Sequence, residues 1–216
     1  MKLQYLGHSS FRLISEMGTT VVCDPYESDM VGLQMPSVRC DVVTISHHHS
    51  DHDCVENLLG GYATLDEVVS CAADDIAVQS FETFHDNSNG AKRGKNLVFC
   101  FLVDGLRVVH AGDIGFVDEN IVAVAKNCDV LLAPVGGVYT IDAVAAKQLV
   151  DEICPRIVVP MHYMTSEHKF KLNSLDDFLN LFDASSVERS NGCSLELFDA
   201  PQNEQTKVIV LQKYED

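Results

Sequence analysis

A β-branched run, Asp41-Val-Val-Thr-Ile-Ser46, leads directly into Ser46-His-His-His-Ser-Asp-His-Asp-Cys54, and this junction constrains the fold more than any other stretch. The run has the composition of a buried strand. The segment after the cluster, Asp53 to Gly60, opens with an N-cap residue and closes on Gly60-Gly61, which predicts a short helix. Four of the nine histidines lie between positions 47 and 52, interleaved with Asp51. A polar cluster between a buried strand and a helix belongs to the loop edge of an α/β protein, where such folds keep their chemistry.

His47 and His49 are two apart on an extended segment, so their rings leave the same side of the backbone. Asp51 and His52 are adjacent on the following turn and can fan toward a second point. That pattern suggests two metal ions rather than one structural zinc. A surface patch would account for a lone histidine, but not for His-x-His-x-Asp-His in this setting.

With 216 residues and 46 % hydrophobic content the chain is long enough for one domain, 1–216, with a sizeable core. It has no apolar run of transmembrane length, and Met1-Lys-Leu-Gln-Tyr-Leu-Gly7 lacks the features of a secretory leader. A cytoplasmic protein with no membrane partner is expected. The eight cysteines form no CxxC pair, and most sit in apolar runs, as buried reduced thiols do. Cys54 adjoins the cluster but falls inside the expected helix, which disfavours it as a ligand. A net charge of −17, from 15 Lys+Arg against 32 Asp+Glu, argues against nucleic acid as a partner. Before residue 92 the basic side chains are Lys2, Arg12 and Arg39; then Lys92, Arg93 and Lys95 come almost together.

Lys2–Gly7, Ser10–Ile14 and Thr19–Cys23 read as three strands, ended by Asp24-Pro25. His8 and Asp24 therefore stand at strand ends. Weak short strands and a helical turn are expected between Gly61 and Ser80. A strand over Ser80–His85 follows, then a polar loop to Asn96. Asn96–Val103 and Leu106–His110, joined by Asp104-Gly105, make the clearest hairpin. Helices are expected over Asp118–Asn127, Ile141–Ile153 and Leu175–Phe182, and buried strands over Asp129–Pro134, Arg156–Met161 and Val208–Gln212. Successive strand ends thus deliver the cluster, His85, Asp113 and His162. Seven ligand-type side chains suit two metals sharing one carboxylate.

In this order the motifs resemble the metallo-β-lactamase superfamily: His-x-His-x-Asp-His, a later lone histidine, an aspartate in Gly112-Asp113, and a last histidine after a buried strand. Leu6-Gly-His-Ser-Ser10, Pro134-Val-Gly-Gly137 and Pro160-Met-His-Tyr163 resemble its branch of small hydrolases that includes the ascorbate-6-phosphate lactonases. The resemblance implies an αββα sandwich, two mixed β-sheets flanked by helices, with the site along one edge. It implies that His47, His49 and His85 bind one metal, that Asp51, His52 and His162 bind the second, and that Asp113 bridges them. His48 has no counterpart.

Nitrogen and carboxylate donors without thiolates suit two divalent ions, zinc first, with manganese, iron or nickel also compatible. Such a pair holds a water and lowers its pKa toward neutrality, giving hydroxide for attack on a carbonyl or phosphoryl centre. Asp51 and His52 then carry the catalytic role, Asp51 also accepting a proton. The expected activity is hydrolysis of a small anionic substrate, a lactone or other acyl ester ahead of a phosphodiester. Lys92 and Arg93 are candidates for binding its anion, and Tyr163, or Tyr139, for orienting it. A di-iron redox protein is disfavoured by His49, where those relatives carry glutamate, and a metal-binding protein without turnover would need a blocked pocket. A homo-oligomer is compatible with the sequence.

Overall fold

Alternation along the first strands decides the layering. In β1 (Lys2–Gly7), Leu3 and Tyr5 belong to one core and Leu6 to another, because successive side chains of a strand leave opposite faces. The computed structural model describes residues 1–202 and 205–215. β2 (Ser10–Ile14) pairs antiparallel with β1, and β3 (Thr20–Cys23) with β2. The chain then passes through α1 (Ser28–Val31) and β4 (Val38–Arg39) to β5 (Val42–Thr44), which joins β3 in parallel. Past β6 (Leu58–Leu59), β7 (Ala63–Leu65) joins β5.

β8 (Ser70–Ala73), β9 (Ile76–Phe84), β10 (Lys95–Val103) and β11 (Leu106–His110) form an antiparallel meander that starts the second sheet. Between β10 and β11, Asp104 and Gly105 both take positive φ, 51° and 80°, as a two-residue hairpin turn requires. After α2 (Glu119–Ala125), β12 (Val130–Pro134) adds in parallel, and after α3 (Ala143–Ile153) so does β13 (Ile157–Met161). α4 (Leu175–Leu179) precedes β14 (Val187–Arg189), and β16 (Lys207–Val210) lies between β14 and β13. β15 (Ser194–Glu196) returns to edge the first sheet beside β1. The result is a six-stranded and an eight-stranded mixed sheet, with β4 and β6 paired separately.

Leu3, Phe11 and Val21 from the first sheet meet Phe99, Leu132 and Val159 from the second in the core between them. The outer face of the second sheet, with Val109, Leu131 and Val158, is covered by Leu149 and Ile153 of α3 and Phe178 of α4. Asp118, Asp142 and Ser174 cap α2, α3 and α4 by accepting first-turn N–H bonds. Over the first sheet, Val22, Val43 and Ile45 lie under Val31, Leu33, Met35 and Leu58. The αββα sandwich is therefore present, with one thin outer layer built from the single turn of α1 and the loops beside it. Among the described residues, no helix is long and apolar enough to cross a membrane.

Two expectations are corrected. Asp53–Gly60 is not helical: turns lead to β6, whose Leu58 and Leu59 pair with Val38 and Arg39. Leu58 is the one buried residue of that stretch, too little for a helix stripe, and the Asp53 carboxylate faces His48 instead of capping. Between Gly61 and Ser80 there are strands and turns but no helix, and β9 begins at Ile76, so His85 emerges from a nine-residue strand.

Candidate metal centre

The ends of β1, β3, β5, β9, β11 and β13 open onto one edge of the sandwich. Beyond β5 the chain turns back on itself, with the N–H groups of His52 and Asp53 donating to the His49 carbonyl at 2.8 and 3.1 Å. This turn sends Asp51 and His52 to a different point from His47 and His49. Ligand-capable atoms of His47, His49 and His85 lie within 4.8 Å of one another, as do those of His47, His52 and Asp113. Asp51, His52 and His162 form a further such group, joined by His8. Asp113 stands at the centre: its Oδ2 is 3.3 Å from Nε2 of His52, 3.3 Å from Nε2 of His85 and 3.2 Å from Nε2 of His162. All seven side chains expected to ligate converge.

Buried nitrogens normally find hydrogen-bond partners. Here Nε2 of His47, His52 and His162 and Oδ1 of Asp113 are buried without one. For His47 and His52 the opposite ring nitrogens explain what those atoms are for, whereas Nδ1 of His162 and of His85 is also buried without a partner. Ser46 Oγ has one hydrogen, which it donates to Asp24 Oδ2 at 2.6 Å, so its 2.9 Å contact with His47 Nδ1 has the imidazole donating. His52 Nδ1 donates to the same Asp24 oxygen at 2.8 Å. Both rings can therefore present unprotonated Nε2 to the centre, as metal-binding imidazoles held by an outer partner do. A cluster of imidazole nitrogens and carboxylate oxygens with orphaned inward atoms fits divalent metal.

The electrostatics point the same way. Burial disfavours charge on Asp113, yet His162 and His52 outweigh it and hold its carboxyl well below the usual range. Burial likewise opposes charge on His52, while Asp113 and Asp51 raise it well above the ordinary imidazole value. The buried carboxylates favour positive charge at this point. Burial, then His162, pushes His8 down to about 3, and the same two causes take His168 to about 4.

Several residues outside the expected ligand set support the site. Asp24, a strand-end aspartate at φ 45°, also accepts from the Ser46 N–H at 2.8 Å. Asn96 Oδ1 accepts from the Asp113 N–H at 2.7 Å, while its Nδ2 donates to the Ala111 carbonyl at 2.9 Å. Gly112 takes φ 58°, and a Cβ there would collide with Asn96 Oδ1 and meet Ser46 Cβ at 2.7 Å. The glycine before Asp113 is thus required both for its conformation and for close approach. Asp86, following His85, accepts four backbone N–H bonds, from Ser88, Gly90, Lys92 and Arg93, and so folds the basic loop against the site.

A cavity of about 500 Å³ opens over the cluster, lined by His49, Asp51, His85 and Asp113 together with Lys92, Arg93, Met30, Tyr139 and Phe170. Arg93 donates to the Val138 carbonyl at 3.3 Å and lies over the Tyr139 ring at 5.3 Å. Val138 has φ 62°, and the Tyr139 N–H bonds back to the Gly137 carbonyl at 2.6 Å. This is a γ-turn with a β-branched residue at positive φ, a strained geometry, and it turns Tyr139 toward the cavity. Tyr163 does not line the cavity: it is buried in the core beneath α4. The aromatic wall belongs to Tyr139 and Phe170. His48 is exposed at the rim of the cavity, 3.4 Å from Asp53 and 3.6 Å from Asp66, and Cys54 joins none of the ligand groups among the described residues.

A fold of two mixed sheets with a histidine–carboxylate centre on its loop edge defines a metallo-hydrolase class, and comparison with known proteins gives the family. A model of the beta-lactamase superfamily domain matches residues 2–162, and the chain belongs to the metallo-β-lactamase superfamily. It is similar to a UPF0173 metal-dependent hydrolase of Methanosphaera stadtmanae, 27 % identical over 203 residues, covering 76 % of this chain and 85 % of that protein. Among solved structures it resembles a Thermotoga maritima member of the superfamily, provisionally assigned as a zinc-dependent hydrolase. The TM-score is 0.80 at 37 % identity, covering 98 % of this chain and 99 % of that one. The metallo hydrolase Igni18 of Ignicoccus hospitalis shares the fold, with a TM-score of 0.60 at 23 % identity, over 76 % of this chain and 82 % of its own.

Proposed function

We propose that this chain hydrolyses a small anionic molecule with an apolar or aromatic body, a lactone or other acyl ester ahead of a phosphodiester, at two divalent metal ions, zinc foremost. Its activity class is that of its family, metal-dependent hydrolysis. The observation that carries the reading is the convergence of six imidazole or carboxylate side chains around Asp113, with Nε2 of His47, His52 and His162 and Oδ1 of Asp113 left unpaired. His47, His49 and His85 would hold one ion, Asp51, His52 and His162 the other, and Asp113 would stand between them. Bound there, such ions would supply an activated water and a Lewis acid.

The chain's own groups do the rest. Asp51 lines the cavity beside the cluster and would accept the proton released during attack. Lys92 and Arg93 are the cationic groups of the cavity wall and would hold the substrate's anion; Met30, Tyr139 and Phe170 offer its body an apolar surface. A net charge of −17 supports a small molecule over nucleic acid. The test is elemental analysis of the purified protein, then a screen of lactones, phosphodiesters and amides carrying an anionic group, with the metal found. His52→Ala should lower metal content and abolish turnover; full activity in that variant after metal depletion would overturn the two-ion reading. Turnover of phosphodiesters alone would overturn the ester preference.

A further inference from the structure

His8 sits at φ 53° in the turn after β1, fully buried, and its carbonyl accepts from the His162 N–H at 3.0 Å and the Tyr5 hydroxyl at 3.1 Å. These bonds fix the turn against the end of β13, so the His8 ring lies 4.4 Å from that of His162. By distance alone His8 qualifies as a fourth ligand beside Asp51, His52 and His162. The protons decide otherwise.

A backbone N–H can only donate, and the Thr165 N–H reaches His168 Nδ1 at 3.2 Å. That nitrogen therefore bears a lone pair, and His168 carries its proton on Nε2. His168 Nε2 is 3.2 Å from His8 Nδ1, so the bond between them runs from His168 to His8. His8 Nδ1 is then an acceptor, its own proton is on Nε2, and Nε2 faces Asp51 Oδ2 at 3.4 Å. For His8 to bind metal through Nε2, its Nδ1 would have to carry the proton and His168 the opposite tautomer, whose Nδ1–H could donate to Thr165 Oγ1 at 2.9 Å but would face the Thr165 N–H and take away that donor's acceptor. Loss of that acceptor in a half-buried segment disfavours the arrangement.

We infer that His8 is not a metal ligand but a positioning residue: a one-way chain, Thr165 N–H to His168 to His8 to Asp51, holds the Asp51 carboxylate in place for its metal. The inference rests on the proposed metal centre. It adds to it that the segment from Thr165 to Phe170, which also supplies a wall of the cavity, sets the orientation of a ligand it never touches. Phe170 packs edge-on to both rings, 5.7 Å from His8 and 5.6 Å from His168, closing the relay from the cavity.

The test reads tautomers directly. In ¹⁵N-labelled, metal-free protein, long-range ¹H–¹⁵N correlations should give His8 and His168 both as Nε2–H forms, and His8 should keep that proton when zinc is added. An Nδ1–H form of His8 in the metal-free protein, or loss of its Nε2 proton on zinc binding, overturns the inference. Zinc titration supplies the second arm. His8→Gln keeps an N–H toward Asp51 and should bind zinc within about threefold of wild type, whereas His8→Ala should lose about 10–100-fold at one ion. Equal losses in the two variants would make His8 a ligand, and no loss in either would make it a bystander; both results refute the relay. Should wild-type protein bind no zinc, the metal reading fails, while the metal-free tautomers still test the chain of bonds by themselves.

Discussion

Asp24→Asn isolates what the outer carboxylate does. Asp24 Oδ1 accepts the Ser46 N–H at 2.8 Å, and Oδ2 accepts both Ser46 Oγ–H at 2.6 Å and His52 Nδ1–H at 2.8 Å. An amide of the same shape keeps one acceptor. With Oδ1 retained toward the Ser46 amide, the new NH₂ faces His52 Nδ1, and the clash is relieved when His52 moves its proton to Nε2. That is the nitrogen 3.3 Å from Asp113, and a protonated nitrogen cannot bind metal. With the amide reversed, the Ser46 backbone N–H meets a donor instead.

The magnitude follows from two routes. A hydrogen bond to a charged group contributes about 1.5–3 kcal/mol. Loss of an outer partner of a metal-binding histidine costs about 10–100-fold in affinity, or about 1.4–2.8 kcal/mol at 1.4 kcal/mol per tenfold. Zinc bound through His52 should therefore weaken about 10–100-fold, and zinc bound through His47, which Asp24 reaches only through Ser46, should weaken less. Calorimetric titration of metal-stripped wild type and variant, both checked for folding, measures the two affinities. Unchanged binding of both ions in folded Asp24→Asn protein would refute the tautomer argument.

Gly112→Ala should destabilise the protein by at least about 2 kcal/mol, from the left-handed backbone and the collision with Asn96; a melting scan should show a fall of about 4–8 °C, and an unchanged midpoint would contradict the packing described. Lys92→Ala and Arg93→Ala should each raise KM for anionic esters about tenfold and leave neutral analogues alone, while an equal effect on both substrates would remove the anion-binding role. His168 has its pKa lowered to about 4 by burial and His162, so the unfolded chain binds the extra proton between pH 6.5 and 4. The stability it contributes is complete above pH 6.5 and is lost on acidification. Urea unfolding of metal-free His168→Gln should lose about 1–2 kcal/mol less than wild type between pH 7 and 5, allowing for partial solvent screening. Parallel pH profiles would count against a buried neutral His168.

The sequence by itself carried the strand ends and the residue types placed on them. β-branched runs such as Val42–Thr44 and Val130–Pro134 are legible because burial on both faces demands apolar residues without interruption. Asp104-Gly105 is legible because few residues accept positive φ. The seven ligand candidates were readable for the same reason: each follows a recognisable strand. From Asp53 to Gly60 local capping favours a helix, and only the pairing of Leu58 with Val38 across sequence decides against it. Tyr163 could not be told from Tyr139 as a cavity residue, since the direction of a ring depends on the turn beneath it, here the strained one at Val138. What tertiary structure alone decided is which ring nitrogen of His8, His47, His52 and His168 is held by an outer partner. Asp24 sets the His52 proton and His168 that of His8 from distant positions, while Ser46 and Thr165 set those of His47 and His168 from close by. A hydrogen bond between residues more than a hundred positions apart, such as His168 to His8, leaves no trace in local periodicity.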